Sequence, residues 1–272
     1  MNNLHRELAP ISGAAWSQIE QEASRTLKRH LAARRVVDVE GPKGLDFSAV
    51  GLGHVRRIDP PSEGVEAVQR EALRLVELRV PFELSREAID DVERGAEDSD
   101  WDPLKEAAKT IAFAEDRAII EGYGAAGIGG IGPGASNPAL TIPASVADYP
   151  ETVARGLSEL RLAGVEGPYS LLLGADPYTL LFGGSEEGYP VLQHLQRLID
   201  GDIIWAPAIA GGLLLTTRGG DFEMHIGQDF SIGYLSHTDT SVRLYLQESF
   251  TFHLLTAEAA VALTAAKAEA AD

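Results

Sequence analysis

The sequence predicts an α+β fold, because helical and extended patterns follow one another in mixed order rather than in strict strand–helix alternation. Three observations carry this expectation. First, residues 218–254 are built on a period of two. Phe222, Met224 and Ile226 alternate with polar neighbours, and Phe230, Ile232 and Tyr234 repeat the pattern after a turn at Gly227. From 242 to 254 the even positions read Val, Leu, Leu, Glu, Phe, Phe, Leu, the signature of strands with one buried face. Second, residues 102–121 carry Leu104, Ala107, Ala108, Ile111, Ala114 and Ala118 on one broad stripe, as an amphipathic helix does. Third, Trp16, Ile19, Ala23, Leu27 and Leu31 recur at three- and four-residue steps, which predicts a second helix over 14–33.

The remaining elements follow in order. Residues 4–8 suit one helical turn before Pro10, and Ser12 is placed to cap the helix over 14–33. Residues 36–39 read as a short strand, which Gly41-Pro42-Lys43-Gly44 breaks. Over 45–79 two extended arms, the second running from 73 to 82, are joined by a turn at Asp59-Pro60-Pro61. They predict a projecting hairpin whose open strand edges make sense if a neighbouring molecule covers them. Asp100 and Pro103 suit the start of the helix over 102–121, and Gly122 its end. A Gly- and Pro-rich loop over 124–143 precedes a helix over 147–163 and a buried strand over 169–173. Residues 177–182 and 190–199 read as short helices, 203–205 and 213–217 as strands, and 265–272 as an Ala-rich frayed tail.

Composition narrows the function. The chain has 272 residues, 44% of them hydrophobic, enough for one large domain or two lobes. It has no cysteine, so no disulfide framework or thiolate metal site is available. No apolar run approaches the ~18 residues that a membrane span requires, and the first residues lack a signal-peptide layout. A net charge of −18 argues against non-specific nucleic-acid binding. The charge is unevenly spread. Residues 1–57 hold nine Lys or Arg against six Asp or Glu, while 83–102 hold nine acids against two arginines. The acidic stretch is a solvated face, or it meets the basic part of another copy.

No catalytic constellation stands out. Gly122-Tyr-Gly124-Ala-Ala-Gly127 matches a dinucleotide fingerprint in letters only. It follows a helix, where the real motif follows a strand, so it reads as a helix stop and a loop. The seven histidines are scattered without zinc-ligand spacing, and no nucleophile elbow occurs. No cofactor is expected. Glu248 falls on the apolar face of its strand. A β-bulge near Gln247 that turns it outward is expected; the alternative is a buried carboxylate with a partner to offset its desolvation. The loop Ser185-Glu186-Glu187-Gly188-Tyr189 is acidic, and repeated around a ring it would make a carboxylate collar that favours cations.

These pieces also resemble a known family. NLHRELAPIS followed by Trp16, RRVVDVEGPKG (34–44), LRVPFELSREAIDDVERGAEDSD (78–100), AFAEDRAIIEGY (112–123), LRLAGVEGPYSLLL (160–173), GDIIWAPAI (201–209), RGGDFEMHIGQDFSIGY (218–234) and VRLYLQESFTF (242–252) occur in this order. The chain is similar, from about residue 3 to 263, to the encapsulin shell proteins of the linocin-type bacteriocin family. The resemblance implies the fold of tailed-phage major capsid proteins of the Hong Kong phage type. It implies N-terminal helices of a peripheral domain over 1–42, an extended loop over 43–79 and the spine-helix part of the peripheral domain over 80–121. It further implies an axial domain over 122–217, C-terminal peripheral strands over 218–264 and a flexible tail over 265–272. It implies no catalysis by the chain itself. Sixty copies, or a multiple, would close into an icosahedral cage in the cytoplasm, around a guest enzyme that carries a C-terminal targeting peptide. Typical guests are dye-decolourising peroxidases and ferritin-like proteins. By position, Leu27, Leu31, Arg34, Asp38, Asp229, Ile232 and Tyr234 would bind that peptide, although Leu27 and Leu31 also suit the core face of their helix. Ser185, Glu186, Glu187, Gly188 and Tyr189 would line a five-fold pore. A prophage capsid protein, and a secreted bacteriocin or protease, are the alternative readings.

Overall fold

In the computed structural model residues 3–186 and 189–265 are described, with 185, 186 and 189 described by their backbone alone. A 3₁₀ turn, Arg6–Leu8, leads into helix α1, Gly13–His30. Ser12 caps α1 by accepting the Ala15 N–H at 3.1 Å, and Lys28, Arg29 and His30 suit the negative end of its dipole. The helix stops before the expected residue 33 for a specific reason. The N–H groups of Ala32 and Ala33 donate to the Asp116 carboxylate at 2.9 Å instead of continuing the helix, and a 3₁₀ turn, Ala33–Arg35, follows. Strand β1 is Asp38–Glu40, two residues beyond the expected start.

Among the described residues, strands β2, Ala49–Ile58, and β3, Ala67–Arg74, pair only with each other. They form the projecting hairpin, with Val55, Val65 and Val68 exposed. The hairpin's second arm is thus β3 rather than the expected run over 73–82, most of which is strand β4, Val76–Ser85, returning to the body. Helix α2, Arg86–Glu93, lies inside the acidic stretch and is absent from the sequence reading. Ser85 caps it by accepting the Ala88 N–H at 3.0 Å, and Ala88, Ile89 and Val92 are buried while Glu87, Asp90 and Glu93 face solvent. Eight residues with three apolar positions gave too short a period to separate from the surrounding charge. The long helix α3, Asp102–Ile120, starts with Asp100 accepting the Asp102 N–H at 3.0 Å. It ends at Gly122, whose φ is 91° and where an added Cβ would lie 2.8 Å from the Gly129 carbonyl oxygen. Only glycine fits that turn without strain.

Helix α4, Ile131–Gly134, and strand β5, Leu140–Thr141, sit inside the predicted Gly- and Pro-rich loop. Helix α5, Tyr149–Leu162, strand β6, Tyr169–Leu173, and helix α6, Ala175–Gly183, come next. The short strands β7, Ser185–Glu186, and β8, Tyr189–Pro190, pair antiparallel. Helix α7, Val191–Leu198, and strands β9, Ile203–Trp205, and β10, Gly212–Thr216, complete the middle of the chain. Strands β11, Phe222–Ile226, β12, Ser231–His237, β13, Ser241–Leu254, and β14, Ala260–Thr264, close it. β14 is a further strand that the sequence reading lacks. The predicted tail lies outside the described residues beyond 265.

Two five-stranded sheets organise these parts. One has the order β5-β14-β10-β6-β9, and helix α5 packs on it, burying Val153, Leu157 and Leu160. The other is centred on β13, with β4 along one edge and β12 and β11 in succession along the other; β1 adds to β11 in parallel. Leu84, Leu244 and Leu246 from this sheet pack with Ile19 and Leu27 of α1 and with Leu104, Ala108 and Ile111 of α3.

Two expectations for β13 are corrected. The strand is not one-sided: Tyr245, Gln247 and Thr251 are buried as well as their even-numbered neighbours, and Asn3 and Arg79 contact the second face at Tyr245 and Gln247. There is also no bulge at Gln247. The register with β4 runs unbroken from Ser241 to Phe250, and the irregularity lies between Tyr234 and Ser236 on β12. Glu248 is therefore not turned outward; it is fully buried opposite Leu78, and its compensation comes from an arginine.

Candidate functional site

A groove of ≈ 450 Å³ opens between the second half of α1 and the start of β12. Helix periodicity places Ala23, Leu27 and Leu31 on the side of α1 that faces the sheet. Strand alternation places Phe230 and Ile232 opposite them, and Leu246 of β13 contributes to the same lining. The floor is apolar, and the rim carries Arg6, Glu20, Lys28 and Asp229.

Of the residues singled out above, Leu27, Leu31, Arg34, Asp229 and Ile232 come together here. Asp38 does not. It begins β1 and accepts the Gly220 N–H at 2.6 Å in a separate small cleft with Arg35, Thr216 and Phe222. Tyr234 lies farther along β12, outside the groove lining, where its hydroxyl bonds His237 Nδ1 at 2.6 Å. Leu27 serves the core too, at 7% exposure, whereas Leu31 is half-buried. The backbones of Ser185, Glu186 and Tyr189 belong to the β7–β8 hairpin, with Glu186 opposite Tyr189. Glu187 and Gly188 lie outside the described residues.

Arg34 is committed from below. Its Nε lies 2.9 Å from Glu115 Oε1 and its Nη2 lies 2.6 Å from Glu115 Oε2. Its Nη1 reaches Asp229 at 2.8 Å and its Nη2 reaches Glu248 at 3.3 Å. The guanidinium also stacks on Phe230, 4.5 Å from the ring centre. Glu115, Asp116 and Glu248 have no exposed surface. Burial works against the Arg34 charge, but the hydrogen bonds and attraction of Glu115 and Asp229 outweigh it and hold the group firmly protonated. Burial, followed by repulsion from Glu115, pushes Glu248 well above the usual carboxylate range. Its Oε1 has no hydrogen-bond partner among the described residues, and the nearby Glu115 carboxylate favours the protonated acid. Asp116 is pushed up to about 7 by burial, against the pull of the Ala33 and Ala32 amides. One arginine thus fixes the turn after α1 to α3 and β13, and braces Phe230 at the groove wall.

Several contributors escaped the sequence reading, among them Ala23, Lys28, Phe230 and Leu246 of the groove lining and Glu115 beneath it. Glu115 had a signal, since it falls four residues after Ile111 on the apolar stripe of α3. Glu20 had one too, since it shares the helix face of Ala23, Leu27 and Leu31; Leu4 and Arg6 had none, because their approach to the groove depends on how residues 3–8 fold back over the sheet.

Comparison with known proteins agrees with this architecture. The family model described as encapsulating protein for peroxidase (Linocin_M18) matches residues 1–251. A type 1 encapsulin shell protein of Rhodococcus erythropolis is 62% identical over 263 residues, covering 97% of this chain and 100% of the relative. Among solved structures, the virus-like particle from Pyrococcus furiosus superposes with a TM-score of 0.64 at 16% identity, over 91% of this chain and 98% of that one. The capsid of Myoviridae phage XM1 gives a TM-score of 0.51 at 10% identity, over 85% and 90%. The α+β architecture is that of phage capsid proteins.

Proposed function

We propose, from the premise that this chain belongs to the encapsulin shell-protein family, that the groove between α1 and β12 docks the C-terminal tail of an enzyme enclosed in the shell. The observation that carries this is the lining itself. An apolar floor of Leu27, Leu31, Phe230 and Ile232 beside charged rim groups suits an extended peptide with aliphatic anchors. Arg34 is a positioning residue in this reading, because four of its five N–H donors are engaged by Glu115, Asp229 and Glu248. Asp38 and Tyr234 act outside the groove. The family description supports a peroxidase as guest, with a ferritin-like protein as the second class.

The exposed hairpin of β2 and β3 supports contact between subunits, since it pairs with no other strand among the described residues and a neighbour is the available cover for its valines. The partner is the chain itself, sixty copies or a multiple in a closed icosahedral cage. That cage sits in the cytoplasm on this reading; no described helix is long and apolar enough to cross a membrane. The β7–β8 hairpin carries the Ser185–Tyr189 loop, which in this reading rings a pore and passes cations in preference to anions.

The docking reading is tested by co-expressing the shell with a fluorescent protein that ends in ten randomised residues, then sequencing the tails retained in purified shells. Leucine- and isoleucine-bearing tails should be enriched in wild-type shells and lost in Leu31→Glu shells of unchanged size. Equal retention in both, or no enrichment, refutes the docking role.

A further inference from the structure

We propose that residues 3–8 form a fixed third wall of the groove, and that side-chain size at position 4 sets which apolar residues the occupant can carry. This deepens the docking reading and rests on it. Leu4 is buried at 8% exposure. The Tyr234 N–H donates to the Leu4 carbonyl at 2.8 Å. The Tyr245 hydroxyl donates to the Asn3 carbonyl at 3.2 Å, and the Asn3 amide donates to Gln228 Oε1 at 3.2 Å. These contacts fasten the segment to β12, β13 and the turn before β12. On its other side Arg6 pairs with Glu20 of α1 at 2.6 Å and stacks on Trp16, 4.1 Å from the ring centre. The segment therefore bridges the two elements that make the groove's other walls, and Leu4 and Arg6 both line it.

His5 is the joint between those two anchors. Its φ of 51° makes it the one non-glycine residue with positive φ among the described residues. A side-chain-bearing residue is held in that region only where surrounding contacts over-determine it, and the contacts of Asn3, Leu4 and Arg6 do so. The strap is thus built into place rather than laid over the groove. Because Leu4 occupies apolar lining, its volume is subtracted from what an occupant can fill. A difference of one methylene in such a pocket discriminates between ligands by roughly tenfold or more.

The randomised-tail selection tests this with Leu4→Val and Leu4→Phe shells, and with Leu4→Met as a volume-conserving control. Leu4→Val should enrich tails with larger apolar residues and Leu4→Phe tails with smaller ones. The ratio of phenylalanine- to leucine-bearing tails should differ roughly tenfold between the two, while Leu4→Met keeps the wild-type profile. Intact shells of both size variants with the wild-type profile overturn the strap and leave docking standing. Should Leu4→Phe fail to form shells, the same comparison between Leu4→Val and wild type decides. Wild-type shells that enrich no tail overturn both readings.

Discussion

Arg34 and Glu248 meet 3.3 Å apart beneath the groove, and with Glu115 they tie the turn after α1 to the centres of α3 and β13. Desolvating these groups is expensive. The structure offsets the cost by giving Arg34 a forked contact with Glu115 and by keeping a proton on Glu248. Two substitutions separate these effects. Arg34→Met should cost about 3–5 kcal/mol in stability, because it leaves buried carboxylates without their cation. Glu248→Gln should cost under about 1 kcal/mol, since an amide matches the protonated acid in shape and can donate to Glu115. Thermal unfolding of purified protein compares them, and equal losses would contradict this account.

The pH response follows from Asp116 and Glu248. In an unfolded chain both titrate near ~4, whereas the fold pushes Asp116 up to about 7 and raises Glu248 in the same direction. The folded state holds the extra protons between those limits. The stabilisation is therefore complete below pH ~4, falls as pH rises, and for Asp116 is spent above about 7. It is on the order of 4 kcal/mol for Asp116. Melting temperatures taken from pH 5 to 8 should decline more steeply for wild type than for an Asp116→Asn, Glu248→Gln double variant. Parallel curves would show that these groups do not hold their protons.

Gly122 stops α3 where a side chain has no room, with the Gly129 carbonyl oxygen 2.8 Å from an added Cβ and φ at 91°. Gly164, just past α5, has φ of 77° but open space around its Cβ position. Gly122→Ala should cost more than Gly164→Ala, by about 1–3 kcal/mol, in chemical denaturation. Similar costs would mean that backbone conformation alone matters at both turns.

The β2–β3 hairpin exposes Val55 at 58% and Val68 at 55%. If those side chains are buried against neighbouring subunits, Val55→Asp with Val68→Asp should abolish particles while leaving a folded subunit, because neither belongs to the buried core. Light scattering reads assembly and circular dichroism reads the fold. Full-sized particles from the double variant would place the subunit contacts elsewhere.

Much of the architecture was legible in the sequence because its periods are long. The stripe of α3 and the alternation of β11 to β13 each repeat often enough to declare themselves. Short or cross-chain features were not. α2 offers two turns inside a charge run, and β14 gains its identity from pairing with β10 and β5. Glu248 misled because pattern shows which face a residue occupies, but not that an arginine more than two hundred positions away reaches it. The groove divides in the same way. Leu27, Leu31 and Ile232 were implied by the family resemblance, on helix and strand segments that pattern alone predicts, whereas Leu4 and Arg6 depend on how residues 3–8 are tied to β12 and α1. Asp38 and Tyr234 lie near these elements in sequence but outside the groove lining.

The most direct test is electron cryomicroscopy of purified shells loaded with a fluorescent protein that bears one of the selected tails. The account predicts closed particles with peptide density on the inner surface, between α1 and β12, against Leu4, Leu31, Phe230 and Ile232. Closed particles with the tail bound at any other surface, or a protein that forms no particles, would contradict it.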